Sequence, residues 1–240
     1  MNTLQLINEC LSRFGEKEVA ALGETAEATL MLRKVNLAIQ EICVAHPFVW
    51  MEKNSPGELT AVAGTSVYTL ATDVAHVLAM KHVYQGGDWL KPENRATFEQ
   101  QKADRTQSAD RTTPRLFTSA GVLQASASDT PALRVETWPV CGADFDGEII
   151  YYYYTKTPTD LSAATDIPLI PLDYHWLIVE KVETLYRRGP IRVGGDGLPS
   201  QIDLFAIAER KVKEGMARLI SRDSAVVGSD FSWQEQNPSF

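Results

Sequence analysis

The side chains with chemical potential are four histidines (His46, His76, His82, His175), three cysteines (Cys10, Cys43, Cys141) and the turn-flanking aspartates Asp160, Asp166 and Asp173. A metal would need several of them together. His76 and His82 are six residues apart, so on a regular strand they share a face at roughly 20 Å, too far for one ion. His175 falls in the first turn of a helix, where packing or solvation is the plainer role. The cysteines are widely spaced and lack histidines at set intervals, which argues against a disulfide framework or a zinc site. Cys10 and Cys43 fall on apolar helical faces as small hydrophobes, in keeping with a reducing cytosol. Each aspartate adjoins a proline, a serine or a helix start, where it serves as a turn or cap residue. None shows the alternating spacing of a calcium loop.

Gly194-Gly-Asp-Gly197 follows a helix and precedes Pro199. A phosphate cradle needs a strand before it and a helix after it, so this run reads as a helix–helix connection. No H-E-x-x-H, C-x-x-C, G-x-S-x-G or P-loop pattern occurs. The run Tyr151-Tyr-Tyr-Tyr154 could stack on sugars or bases. Its neighbours are Ile149 and Ile150 rather than Arg or Lys, which favours strand core or a subunit interface. No catalytic group, metal or cofactor is expected, and the chain does not read as an enzyme.

The elements that place these residues follow from periodicity. Leu4, Ile7 and Leu11 define a first helix, and Leu32, Val35, Ile39 and Ile42 a second that starts near Thr25 and stops before Pro47. Strand patterning then appears at Val67–Leu70 and His76–Tyr84. The turn Gly86-Gly-Asp88 leads to Trp89-Leu90 and predicts a hairpin. Asn94 caps a polar helix, and residues 104–113 read as an exposed loop. Arg115–Thr118, Val122–Ala125, Ala132–Trp138 and Glu148–Thr155 are further strands. In the third of these, Leu133, Val135 and Thr137 share one face, and Arg134, Glu136 and Trp138 the other. In the last, Ile149, Tyr151 and Tyr153 oppose Ile150, Tyr152 and Tyr154, as in a strand covered on both sides. Asp173 caps a helix carrying Ile178, Val182 and Leu185 that ends at Gly189-Pro190. Ser200 caps another carrying Ile202, Phe205, Val212, Met216 and Leu219, with Glu209, Arg210, Lys211 and Lys213 toward solvent.

The expected fold class is therefore α+β. Residues 1–47 and 159–222 form a helical bundle, 48–158 an inserted antiparallel β-sandwich or barrel-like domain, and 223–240 an extended C-terminal segment. A chain of 240 residues that is 44% hydrophobic can bury a core without staples. No apolar run reaches the roughly 20 residues of a membrane span, and the N-terminus lacks the layout of a signal peptide. A net charge of −8 argues against gripping duplex phosphates, which leaves room only for nucleic acid that passes without being held.

Three passages resemble the head-to-tail adaptor (connector) proteins of tailed bacteriophages, the group that includes tail tubular protein A. Glu41-Ile-Cys-Val-Ala-His-Pro-Phe-Val-Trp50 is similar to the family's Trp-rich passage from helices into sheet. Tyr68-Thr-Leu70 followed by Asp73 resembles its Y-x-L-P-x-D step, with Ala71 where proline is usual. The tyrosine strand, Pro158, Asp166-Ile-Pro168-Leu-Ile-Pro171 and Tyr174-His-Trp-Leu177 resemble its longest segment. The resemblance implies a structural ring, typically of twelve copies, beneath a portal protein. Such a ring receives a tail, tail-terminator or nozzle protein and lets genome DNA pass without specific binding. It implies residence at the head–tail junction of a virion, after synthesis in the bacterial cytoplasm. It also implies a C-terminal extension that docks on the portal, here carrying Phe231, Trp233, Pro238 and Phe240. The alternatives are another tail component, such as a terminator, tube or baseplate protein, or a module that binds glycan or peptide.

Overall fold

The computed structural model describes residues 1–83, 87–103, 113–127, 129–187 and 201–227. The Gly86 end of the expected hairpin turn, most of the 104–113 loop, Gly189-Pro190, the Gly194–Gly197 run, the Ser200 cap and the 228–240 segment lie outside these residues. The chain divides into two compact units, Met1–Met51 with Pro158–Phe240, and Glu52–Thr157.

In the first unit, α1 (Thr3–Arg13) begins with a capping box. The Asn2 side chain accepts from the Gln5 backbone N–H, and the Gln5 side chain accepts from that of Asn2. Thr25 caps α2 (Ala26–Val44) by accepting from the Ala28 N–H at 3.0 Å. These helices pack with α4 (His175–Arg187) and α5 (Gln201–Val227) around a core that includes Leu6, Ile7, Val35, Ile39, Ile42, Ile178, Val182 and Leu219. Each large apolar side chain so buried contributes about 1.5–3 kcal/mol. Gly215 lets α5 come close to α4, because a Cβ there would lie 2.7 Å from both Leu177 Cδ1 and Trp176 Cη2.

Two expectations change here. Asp173 does not cap α4. It lies in a 3₁₀ turn, Leu172–Tyr174, and accepts an ion pair from Arg222 at 2.9 Å. The helical stretch also continues through Asp223 to Val227, past the expected start of the extended segment.

The second unit is a seven-stranded sheet in the order β1-β7-β3-β4-β5-β6-β2. The strands are β1 (Gly57–Thr60), β2 (Val67–Thr69), β3 (Val74–His82), β4 (Trp89–Pro92), β5 (Leu116–Leu123), β6 (Ala132–Trp138) and β7 (Ile149–Lys156). The two edges, β1 and β2, are consecutive in sequence. Flat, seven strands would hold them about 29 Å apart, whereas the link from Thr60 to Val67 spans at most about 25 Å. The sheet must therefore roll toward closure, and it forms a nearly closed barrel. Tyr68 pins the link, its hydroxyl donating to Thr65 O at 3.1 Å and accepting from the Val62 N–H at 3.3 Å. The expected hairpin is present, with Met80 opposite Leu90 and Lys81 opposite Trp89. Asn94 caps α3 (Arg95–Ala103) through the Thr97 N–H.

The sheet is not wholly antiparallel, because β4 and β5 run parallel, with Lys91 opposite Leu116. Nor do His76 and His82 share a face. Register shifts between Val74 and His76 and between Val77 and Ala79 break the alternation, so His76 is exposed and His82 buried.

Burial holds both His82 and His175 below the ordinary imidazole range. His82 Nε2 lies 2.6 Å from Pro114 O. His175 sits between Ile170 O at 2.9 Å and the Met1 nitrogen at 2.8 Å. With the folded pKa lowered, the unfolded chain binds more protons below about pH 6.5. Their stabilisation is thus complete above that value and is lost as pH falls through the folded pKa. Calorimetry should show a lower melting temperature at about pH 5.5 than at about pH 7.5. His82→Gln should shrink that difference, and an undiminished acid loss in the variant would sink the assignment.

Candidate docking surfaces

The tyrosine strand separates into two roles. Alternation and pairing on both edges, with β1 and β3, turn Tyr152 and Tyr154 into the barrel core while Tyr151 and Tyr153 stay half-buried on the other face. The Tyr154 hydroxyl donates to Asp73 at 3.0 Å and accepts from Lys53 Nζ. Outside, the Tyr153 ring lies 5.5 Å from that of Trp89, which is 42% exposed, and Lys81 Nζ lies 5.2 Å from the Trp89 ring centre. An aromatic patch topped by a cation suits a protein–protein contact, where such rings supply large area at low entropic cost.

Glu136 lies differently from its expected face. It is buried beneath α3, with Arg95 and Lys102 each donating at 2.6 Å. Burial alone would raise its carboxyl pKa. The hydrogen bonds and charges of Lys102 and Arg95 outweigh that and hold it below the usual range. Trp138, on the same nominal face, is fully buried.

In the helical unit, α2 leaves Leu30, Leu37 and Val44 exposed at seven-residue intervals, a straight apolar ridge. A groove of about 230 Å³ is lined by Val49, Trp50, Pro171, Leu219, Arg222 and Asp223. Phe48 stacks on Trp50 at 4.7 Å, and the buried Asp223 accepts from the Val49 N–H at 3.1 Å and faces His46 at 3.4 Å. Sequence periodicity missed this groove, because its walls come from three separated segments.

Cys10, Cys43 and Cys141 are buried free thiols, with burial pushing the first two up to about 12. Asp160 accepts from Gln40, and Asp166 accepts from the backbone of Ser162 and Ala163, a turn role that lowers its pKa. Among the described residues no cluster of His, Cys, Asp and Glu could hold a metal, and no helix is long and apolar enough to cross a membrane. Phe231, Trp233, Pro238 and Phe240 lie outside the described residues.

The chain thus pairs a helical unit with a rolled sheet, and each carries exposed apolar or aromatic side chains. Residues 1–228 match the profile of the SU10 adaptor protein, and the chain belongs to that family. It is a bacteriophage head-to-tail adaptor, a structural virion protein of the head–tail junction and not an enzyme. No curated protein matches the chain. Among solved structures, a chain in the neck of an empty GTA particle, computed with C6 symmetry, is similar at 16% identity over 84% of this chain and 87% of its own. The TM-score is 0.26, too loose a superposition to bear on the fold.

Proposed function

We propose that copies of this chain assemble into a ring, twelve in number, that joins a portal protein to a tail, tail-terminator or nozzle protein and leaves a lumen for genome DNA. The family match over residues 1–228 carries this reading. The tail tubular protein A group supplies its working picture. The half-buried Tyr151 and Tyr153 with Trp89, and the Leu30–Leu37–Val44 ridge, are the surfaces assigned to subunit contacts. Tyr152 and Tyr154 serve the core of the sheet. Residues 223–227 end a helix, and the segment beyond, with Phe231, Trp233, Pro238 and Phe240, is assigned to the portal. The net charge of −8 lets DNA pass without adhering. The chain is made in the host cytoplasm and takes its place during assembly.

Cryo-electron microscopy of the parent particle tests this. Density for the chain between portal and tail, as a twelve-fold ring with residues beyond 227 against the portal, is the expected result. Density elsewhere in the tail would overturn it in favour of another tail component.

A further inference from the structure

We infer that the pocket around Arg134 on β6, beside the start of α3, is a seat for one carboxylate on an acidic segment of a partner protein. This rests on the adaptor class alone and not on the ring or its copy number.

Arg134 is half-buried, and among the described residues its guanidinium has no acceptor. A cation so placed gives up part of its hydration and receives nothing in return, a cost that an incoming anion would remove. The other charges nearby are already matched. Glu136 accepts from Arg95 and Lys102 at 2.6 Å each, and Glu99 also meets both cations. Three cations therefore face two carboxylates, and Arg134 is the one left over. Such a surplus runs against the net charge of −8 of the whole chain.

The backbone makes room at this point. Ser119 pairs with Val135 and Val122 with Leu133, so Ala120 and Gly121 together oppose the single residue Arg134. This is a β-bulge, in which Gly121 takes a left-handed φ of +87° that favours glycine. A regular ladder would set one β5 side chain against Arg134. The bulge bends β5 instead, and a pocket of about 310 Å³ opens there, lined by Val67, Arg95, Ser119, Ala120, Arg134 and Glu136.

This lining suits a carboxylate. The Arg134 fork can donate to one twice, and the exposed Ser119 hydroxyl can donate as well. Val67 and Ala120 supply apolar wall for the methylenes of an aspartate or glutamate. The volume lies at the foot of the roughly 300–1,000 Å³ range of small-molecule sites, in keeping with a side chain. Duplex phosphates fit less well, because one surplus cation on a chain of charge −8 neutralises too little. A head-to-tail adaptor has to meet chains other than itself, so the carboxylate is assigned to a partner protein.

The test follows the NMR signals of the full isotope-enriched chain while the blocked peptide acetyl-Gly-Glu-Glu-Gly-amide is added. Saturable shifts are expected at the Arg134 Nε–H and at the Ser119 and Ala120 amides. Replacing Glu by Gln in the peptide should weaken them about tenfold or more, the loss expected for a charged hydrogen bond. Arg134→Gln should weaken the amide shifts by a similar factor. No saturable shift at tens of millimolar peptide would overturn the inference, as would equal shifts from the two peptides or shifts that survive Arg134→Gln. Stronger Arg134-dependent shifts from a short DNA duplex would reassign the pocket to phosphate and overturn it. The same shifts on concentrating the chain without peptide would give the seat to a second copy and overturn the partner. The peptide comparison uses the natural chain, so it decides even where Arg134→Gln does not fold. No portal, tail or ring enters any arm, and failure here leaves the proposed function standing.

Discussion

Replacing Arg95 and Lys102 together by methionine should destabilise the sheet unit by about 3 kcal/mol at neutral pH. Breaking a buried ion set by removing one sign of charge costs about 3–5 kcal/mol. The lower end applies because Arg95 is half exposed and each cation also meets Glu99. What remains is Glu136, its side chain 7% exposed, with both 2.6 Å donors gone. The pH dependence should change sign. In the natural chain the folded carboxyl pKa is lowered, so its stabilisation is present above about pH 4.5 and fades as pH falls through the folded value. In the variant only burial acts, the folded pKa rises, and acidification relieves the penalty. Urea melts at about pH 7 and pH 5 should therefore show the gap between variant and natural chain closing on acidification. Adding Glu136→Leu should recover most of the loss, since apolar replacement of a whole buried ion set is often neutral. A constant gap with no rescue would mean that the three charges are not coupled.

Gly57→Val should cost a similar amount by a different route. Gly57 pairs with Tyr152 across β1 and β7, and a Cβ on Gly57 would overlap the ring of Tyr152. That ring is 4% exposed and its hydroxyl faces the Ala71 N–H, so it has little room to yield. Overpacking typically costs about 1–3 kcal/mol, and an overlap of this kind belongs at the top of that range. Denaturation of Gly57→Val in natural and Tyr152→Ser backgrounds makes a double-mutant cycle. Strong coupling is expected, and additive losses would show that the glycine is needed for some other reason.

These two sites also mark where sequence reasoning stopped. The apolar stripes of α2 and α4 were legible because a helix has one period and its core side repeats with it. Ile150, Tyr152 and Tyr154 fell on one face of β7 for the same reason at period two. In β3 the two register shifts move side chains between faces without leaving a signature in residue type, so His76 and His82 appeared equivalent. Glu136 read as a surface residue because its neutralising partners lie 34 and 41 residues away in sequence, and a carboxylate declares its burial only through them. Asp173 had the type and place of a helix cap, but Arg222 competes for its carboxylate. The parallel pairing of β4 with β5 was hidden by a long intervening connection. The exposed apolar and aromatic faces were the least legible, because exposure belongs to the folded surface. The resemblance of three passages to head-to-tail adaptor proteins nevertheless pointed to the adaptor class, though the family matched is that of the SU10 adaptor and not the tail tubular protein A group.

Rolling the sheet has a consequence for the ring proposed above, in which copies would sit side by side. The edge strands are β1 with four residues and β2 with three, and the short link between them draws the edges together. Long unpaired edges act as templates on which neighbouring chains add strands and drift into irreversible aggregates. At β1 and β2 this barrel offers little such template. In such a ring, copies meeting at β1 or β2 would have to touch through side chains, because strands this short give a neighbour little backbone to pair with.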